Sequence, residues 1–133
     1  MDTVLFACVH NAGRSQMAAA FFRDLADPQR ATAISAGTQP ASHVHPEVVA
    51  VMKEIGIDLE DARPQRLTAA LAEGASVLIT MGCGDACPYV PGLELQDWPL
   101  HDPKGQGLEA VRHIRDDIRG RVLELLNVRG WKR

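Results

Sequence analysis

A cysteine and an arginine separated by five residues stand near the start of this sequence, in the segment Cys8-Val-His-Asn-Ala-Gly-Arg14-Ser15. The segment follows a short apolar run and precedes an amphipathic stretch, which predicts a connection between a strand and a helix. Backbone N–H groups at a helix N-terminus have no intrahelical partners, and the helix dipole there favours negative charge. The sequence therefore predicts a loop that binds a tetrahedral oxyanion beside a reactive cysteine.

Each residue type in this loop has a chemical use. The guanidinium of Arg14 is a planar fork of donors that can bind two oxyanion oxygens at once. The positive end of the helix stabilises a Cys8 thiolate, Ser15 can hydrogen-bond the sulfur or cap the helix, and Asn11 can hold the loop from within. A buried structural cysteine beside a surface arginine is the alternative, and the strand-to-helix position disfavours it. The predicted oxyanion-binding residues are Val9, His10, Asn11, Ala12, Gly13 and Arg14.

Strands alternate with helices along the rest of the chain. Apolar runs predict strands at Val4–Ala7, Ala33–Ala36, Val77–Thr80 and Leu93–Leu95. Helical spacing predicts helices at Ser15–Leu25, Glu47–Ile55, Thr68–Ala72 and Leu108–Asn127. This order predicts an α/β fold in one domain, residues 1–133, with an open, mostly parallel four-stranded sheet and helices on both faces. Sites in such sheets lie beyond the carboxyl ends of the strands, where the first strand delivers Cys8.

The composition and net charge of the chain disfavour several classes of protein. Of 133 residues, 46% are hydrophobic and 23% charged, and the net charge is -3, so a general field that attracts nucleic acid or an anionic membrane is not expected. No apolar run reaches the roughly 20 residues of a membrane helix, and the N-terminus does not resemble a signal peptide. We therefore expect a cytoplasmic monomer. Three cysteines, Cys8, Cys83 and Cys87, argue against a secreted disulfide framework.

The loop, together with Ser35-Ala36-Gly37-Thr38 and Asp102-Pro103, resembles the low-molecular-weight protein tyrosine phosphatases. Within that superfamily the chain is more similar to arsenate reductases. The motifs that carry this second resemblance are Arg14-Ser-Gln-Met-Ala18, Val44-His-Pro46, Gly56-Ile-Asp58 and Trp98-Pro-Leu-His-Asp-Pro-Lys104.

The resemblance implies roles for residues beyond the loop. Cys8 would form a thiol–arsenate adduct, and Cys83 and Cys87 match the two thiols that then carry a disulfide away from it. Asp102 matches the general acid that protonates the departing oxygen. Arsenate would be the substrate, with phosphate or sulfate as competing anions. An external thiol reductant would be needed, either thioredoxin or a mycothiol and mycoredoxin system. Neither a tightly bound cofactor nor a metal is expected.

Three departures from the family patterns qualify this interpretation. The spacing from Cys83 to Cys87 is shorter than in most thioredoxin-coupled relatives. Lys104 follows Asp102-Pro103 where phosphatases usually have tyrosine, which favours a small inorganic anion. Alanines at positions 18–20 and the segment Arg63-Pro-Gln-Arg66 lack the acidic residues of a potassium site.

Two alternatives remain open from the sequence. A phosphotyrosine or small-phosphoester phosphatase would use Cys8, Arg14 and Asp102 without Cys83 or Cys87. A non-enzymatic anion-binding or redox-sensing domain would explain the cysteines but not Asp102.

Overall fold

A computed structural model describes residues 1–82, 92–100 and 105–133. Its strands are β1 (Asp2–Cys8), β2 (Ala31–Gly37), β3 (Val77–Thr80) and β4 (Glu94–Asp97). Its helices are α1 (Arg14–Leu25), α2 (Pro46–Lys53), α3 (Ala69–Glu73) and α4 (Leu108–Arg129).

The four strands form one sheet in the order β2-β1-β3-β4, and every neighbouring pair is parallel. The predicted α/β fold class is therefore confirmed. Strand β1 lies in the interior of the sheet, where Cys8 is in register with Gly37 of β2 and Ala7 with Thr80 of β3. The carboxyl ends of three strands thus meet at the end of β1, and Cys8 lies at that edge.

The two faces of the sheet carry unequal layers. Along β1, Val4 and Phe6 belong to a large core with α1, α2 and α4, whereas Leu5 and Ala7 belong to a small cluster with α3. This alternation is the period of two that a strand imposes on its side chains. No helix in the described part of the chain has the length and apolar character needed to cross a membrane.

Most predicted elements are present with shifted ends, because strands continue through polar residues that pair in the sheet. The fourth strand is a correction: the prediction Leu93–Leu95 followed two leucines, but β4 runs from Glu94 to Asp97. This strand is at the edge of the sheet and Leu95 is 55% exposed, so apolar side chains do not mark it. Helix α4 continues to Arg129, where Gly130 ends it in the left-handed conformation with φ 71°.

Candidate active site

The predicted loop lies where a parallel sheet places its sites. Strand β1 ends at Cys8, which is 2% exposed, and α1 begins at Arg14. Gly13 is the N-cap and provides no side-chain cap, so the first turn of α1 remains open to an anion. We call residues 8–14 the anion loop.

The carbonyl groups of residues 8–13 of the anion loop all have donors. The segment of residues 38–45, which we call the strap, donates four backbone N–H groups to the loop, and Gln16 and Met17 supply the other two donors. The six bonds run from Thr38 N to Cys8 O, Gln39 N to Val9 O, Ala41 N to His10 O, Gln16 Nε2 to Asn11 O, His45 N to Ala12 O and Met17 N to Gly13 O.

This arrangement fixes the direction of the loop amides. None of the described peptide bonds is cis, and a trans peptide holds its C=O and N–H on opposite sides. Because the carbonyls of residues 8–13 point to their donors, the N–H groups of residues 9–14 point the other way. A cluster of N–H groups in front of a helix N-terminus is a cradle for an oxyanion.

Gly37 allows the strap to lie against the loop. A β-carbon at this position would be 2.6 Å from Val9 O and 2.9 Å from Asn11 N. Both are backbone atoms of the anion loop, so neither could move without changing the cradle. The requirement for glycine here comes from this close approach and not from an unusual backbone angle.

A directed chain of hydrogen bonds ends at the Cys8 sulfur. The backbone N of Gln65 donates to Asn11 Oδ1 at 2.9 Å, Asn11 Nδ2 donates to Ser15 Oγ at 2.7 Å, and Ser15 Oγ is 2.8 Å from Cys8 Sγ. A backbone N–H can only donate, so the Asn11 oxygen faces Gln65 and its NH₂ faces Ser15. Ser15 already accepts from Asn11, and its own proton is therefore available to the sulfur. A thiolate at Cys8 is the acceptor that completes this chain.

Arg14 reaches across the site to two other segments. It is 6% exposed, and its Nη1 donates to Leu100 O at 3.2 Å. Gly82 has φ 98°, and a β-carbon there would collide with Arg14 Nη1. In sequence Gly82 immediately precedes Cys83, and Leu100 lies two residues before Asp102. The predicted residues Cys83, Cys87 and Asp102 themselves lie outside the described residues.

The His10 side chain has a role that the sequence did not indicate. The backbone O of His10 accepts from Ala41 N at 2.9 Å. The ring Nδ1 also lies 3.1 Å from Gln39 O. A carbonyl can only accept, so Nδ1 carries a proton and ties the loop to the strap.

Sequence reasoning missed four residues that support the site: Gln16, Gly37, Gln65 and Gly82. Gln16 and Gly37 entered the sequence analysis only within family motifs, and Gly82 did not enter it. Gln65 acts through hydrogen bonds to residues 54 and 30 positions away, for which a single sequence carries no local signal. Gln16 bonds to Asn11, five residues away, and also reaches Arg63, 47 residues away.

Comparisons with known proteins agree with this geometry. The family model described as "Low molecular weight phosphotyrosine protein phosphatase" matches residues 3–130. A Halobacterium salinarum protein named "Putative arsenate reductase" is 44% identical over 128 residues, which cover 92% of this chain and 89% of that protein. The "Glutaredoxin arsenate reductase" of a Synechocystis species is 36% identical over 129 residues, covering 95% and 97%.

A solved structure gives the same result. The thioredoxin-dependent arsenate reductase of Corynebacterium glutamicum superposes with a TM-score of 0.84 at 41% identity. The match covers 96% of this chain but only 61% of the Corynebacterium chain. This chain belongs to the low-molecular-weight phosphotyrosine protein phosphatase family, and these three relatives carry the name arsenate reductase.

Proposed function

We propose that this chain reduces arsenate to arsenite, with Cys8 as the nucleophile. The observation that carries the proposal is the directed chain from Gln65 N to Cys8 Sγ inside a cradle of N–H groups. It supports a thiolate in contact with a bound oxyanion. The names of relatives that align with nearly the whole chain favour arsenate as that oxyanion.

In the first step the Cys8 thiolate attacks arsenic. A sulfur–arsenic bond forms and one arsenate oxygen leaves as water, which requires a proton. We assign that proton to Asp102, which follows Leu100 by two residues. The N–H groups of the anion loop and the Arg14 guanidinium hold the remaining oxygens, as preorganised donors do at sites of developing charge.

In the second step Cys83 attacks the Cys8 sulfur. A Cys8–Cys83 disulfide forms as the sulfur–arsenic bond breaks, and the electron pair of that bond stays on arsenic. Arsenic thus passes from the +5 to the +3 state and leaves as arsenite after protonation. Cys87 then attacks the Cys83 sulfur, so that a Cys83–Cys87 disulfide forms and Cys8 returns to the thiolate. The position of Gly82 against Arg14, one peptide bond before Cys83, supports this assignment.

An external thiol reductant must reduce the Cys83–Cys87 disulfide. Thioredoxin and a mycothiol and mycoredoxin system are the reductants that we predicted from the sequence, and the likeness to the thioredoxin-dependent Corynebacterium enzyme favours thioredoxin. Only three residues separate Cys83 from Cys87, so closing the loop between them costs little chain entropy. A cytoplasmic location suits chemistry that depends on reduced thiols.

The decisive experiment is peptide mass spectrometry after one turnover with arsenate and no added reductant. We expect a Cys83–Cys87 crosslink with Cys8 reduced. With thioredoxin, Cys83→Ser should release no arsenite, and Cys87→Ser should not complete a second turnover. Normal turnover by both variants, with Cys8 joined to an added small thiol, would overturn the relay and favour a mycothiol route.

The same variants separate reduction from phosphatase activity. A phosphatase on this fold would keep its activity without Cys83 and Cys87. We expect Cys83→Ser/Cys87→Ser to lose arsenate reduction, and wild type to hydrolyse p-nitrophenyl phosphate slowly at best. Arsenate turnover is then measured with thioredoxin, with glutaredoxin and glutathione, and with mycothiol and mycoredoxin. The assignment would be overturned if wild type hydrolysed the phosphate ester efficiently and reduced arsenate with none of these reductants.

The role of Asp102 needs its own variant. General acids contribute roughly 10²–10⁴-fold, so Asp102→Asn should slow formation of the Cys8 adduct by that order in a single turnover. An unchanged rate would remove Asp102 from the mechanism.

A further inference from the structure

Gln16 has a buried side chain that the mechanism above does not use. It lies in the first turn of α1 and is 3% exposed. Its Nε2 is 3.0 Å from Asn11 O, 3.2 Å from Asn11 Oδ1 and 3.3 Å from Arg63 O. One NH₂ group therefore joins the anion loop to the segment that carries Gln65.

The Asn11 side chain could face either way in its pocket, since the two ends of an amide have the same shape. Two donors, Gln16 Nε2 and Gln65 N, lie on one side of it. They require the oxygen on their side and leave the NH₂ for Ser15. In the reversed orientation the Asn11 oxygen would face Ser15, whose proton would then go to Asn11 and not to the Cys8 sulfur.

We propose that Gln16 is a positioning residue that fixes the orientation of the Asn11 amide and thereby directs the Ser15 proton to the Cys8 sulfur. The inference rests on the proposed role of Cys8 as nucleophile. Gln16 holds the Asn11 carbonyl of the anion loop, but its side chain has no hydrogen bond to the sulfur, and it acts on the sulfur through the Asn11 amide and Ser15.

Substitution of Gln16 by glutamate gives a sharp test. Gln16→Glu keeps the shape, but its carboxylate accepts where the amide donates. Asn11 can then satisfy it only by turning its NH₂ away from Ser15, while Gln65 N still favours the original orientation. Gln16→Met removes the donors without adding an acceptor and leaves Gln65 alone to hold Asn11. We therefore expect a larger effect from Gln16→Glu than from Gln16→Met.

The readout is the rate of Cys8 alkylation by iodoacetamide as a function of pH. Trypsin separates Cys8, in peptide 1–14, from Cys83 and Cys87, in peptide 67–104. The pH of half-maximal alkylation should rise by about one unit in Gln16→Glu, the size expected when an anion loses one hydrogen bond. Gln29→Glu controls for the change in net charge, because it makes the same charge change at an exposed position. Gln16→Met controls for the buried charge itself, because it removes the donors of the amide without adding a carboxylate.

A second pair of variants tests whether the effect passes through Asn11. Asn11 has φ 49°, so Asn11→Gly keeps the backbone conformation while it removes the amide. Gln16→Met should raise the alkylation midpoint in the wild-type chain and have no effect in Asn11→Gly.

Two results would overturn the proposal: an unchanged midpoint in a folded Gln16→Met protein, or an equal shift with and without Asn11. If Gln16→Glu does not fold, Gln16→Met and Asn11→Gly still decide the question. The assay contains no arsenate, so its outcome is independent of whether the chain reduces arsenate.

Discussion

Two polar networks in this molecule differ in burial and in kind. The first, around the anion loop, links Gln65, Asn11, Ser15 and Cys8 by hydrogen bonds from uncharged donors that end at the Cys8 sulfur. The second joins α2 to α4 at the surface by ion pairs. There the Glu54 carboxylate accepts hydrogen bonds from Nε and Nη2 of Arg112, with Nη2 at 2.7 Å, and from Nη1 of Arg115 at 3.0 Å.

The surface network is anchored at one point. Arg115 is 8% exposed, and its Nη1 also donates to Val51 O at 2.7 Å, near the C-terminal end of α2. The hydrogen bond from Arg112 is the largest cause that lowers the pKa of Glu54 below its usual value. The charge of Arg112 and the hydrogen bond and charge of Arg115 lower this pKa further. Burial raises it, but by less than these effects together lower it.

The comparison shows where a polar network sets chemistry and where it only adjusts stability. Water cannot replace a lost partner in the buried network, so each donor there determines which way the next group faces. At the surface, water and salt compensate for a broken ion pair. Changes near the anion loop should therefore alter reactivity, and changes at the α2–α4 contact should alter stability slightly.

The largest expected effect is that of Cys8→Ser. It should abolish arsenate reduction, because a serine hydroxyl neither ionises at neutral pH nor forms a disulfide. Binding of sulfate or phosphate, measured by isothermal titration calorimetry, should persist because backbone N–H groups and Arg14 form the cradle. Loss of anion binding in a protein with an unchanged thermal transition would show that the sulfur itself belongs to the binding site.

Gly37→Ala should come next, because it pushes a methyl group into the backbone of the anion loop. Such overpacking costs roughly 1–3 kcal/mol, and activity should fall with it. Gly120→Ala is the matched control, since nothing lies within 4 Å of a β-carbon at this position in α4. It should stabilise the protein by about 0.5–1 kcal/mol. Denaturant unfolding measures both values, and the same sign for both would contradict the close approach at Gly37.

Glu54→Gln should have a smaller effect, confined to stability. The pKa of Glu54 is lower in the folded chain than in the unfolded one, where a glutamate titrates near about 4.3. Its contribution is therefore present above that pH and is lost as the pH falls through the folded value. The difference in unfolding free energy between wild type and Glu54→Gln should be constant at neutral pH, shrink below about pH 4 and shrink in 1 M salt. A difference that grows on acidification would contradict the sign.

The same contrast explains what the sequence could predict. The sheet follows from local patterns, since buried strands such as Val77–Thr80 and amphipathic helices such as α1 carry their periodicity in consecutive residues. The spacing of Cys8 and Arg14 marked the loop because a local turn brings them together. Gln65 is 54 residues from Asn11, and its contribution is a backbone N–H that any residue except proline possesses. The residue type at position 65 therefore could not predict this hydrogen bond.

The buried charge at Arg115 was missed for a related reason. The helix predicted at Leu108–Asn127 has an apolar face, and all of its residues are buried except the half-buried Ile114: Val111, Ile114, Ile118, Val122 and Leu125. Position 115 lies on that face, one turn after Val111. The carbonyl of Val51 and the carboxylates of Glu54 and Asp116 make burial of an arginine there acceptable.

The smallest expected effect is that of potassium, for which we predict no activation over sodium at equal ionic strength. A hard cation needs several oxygen ligands, preferably carboxylates. Asn11 O, Asn11 Oδ1 and Arg63 O do converge, but they converge on Gln16 Nε2. Positions 18–20 of α1, the helix that carries Gln16, are buried alanines. The Gln16 amide thus occupies the position that a cation bound by these three oxygens would take. Arsenate turnover in potassium or sodium chloride tests this, and a several-fold gain with potassium would contradict it.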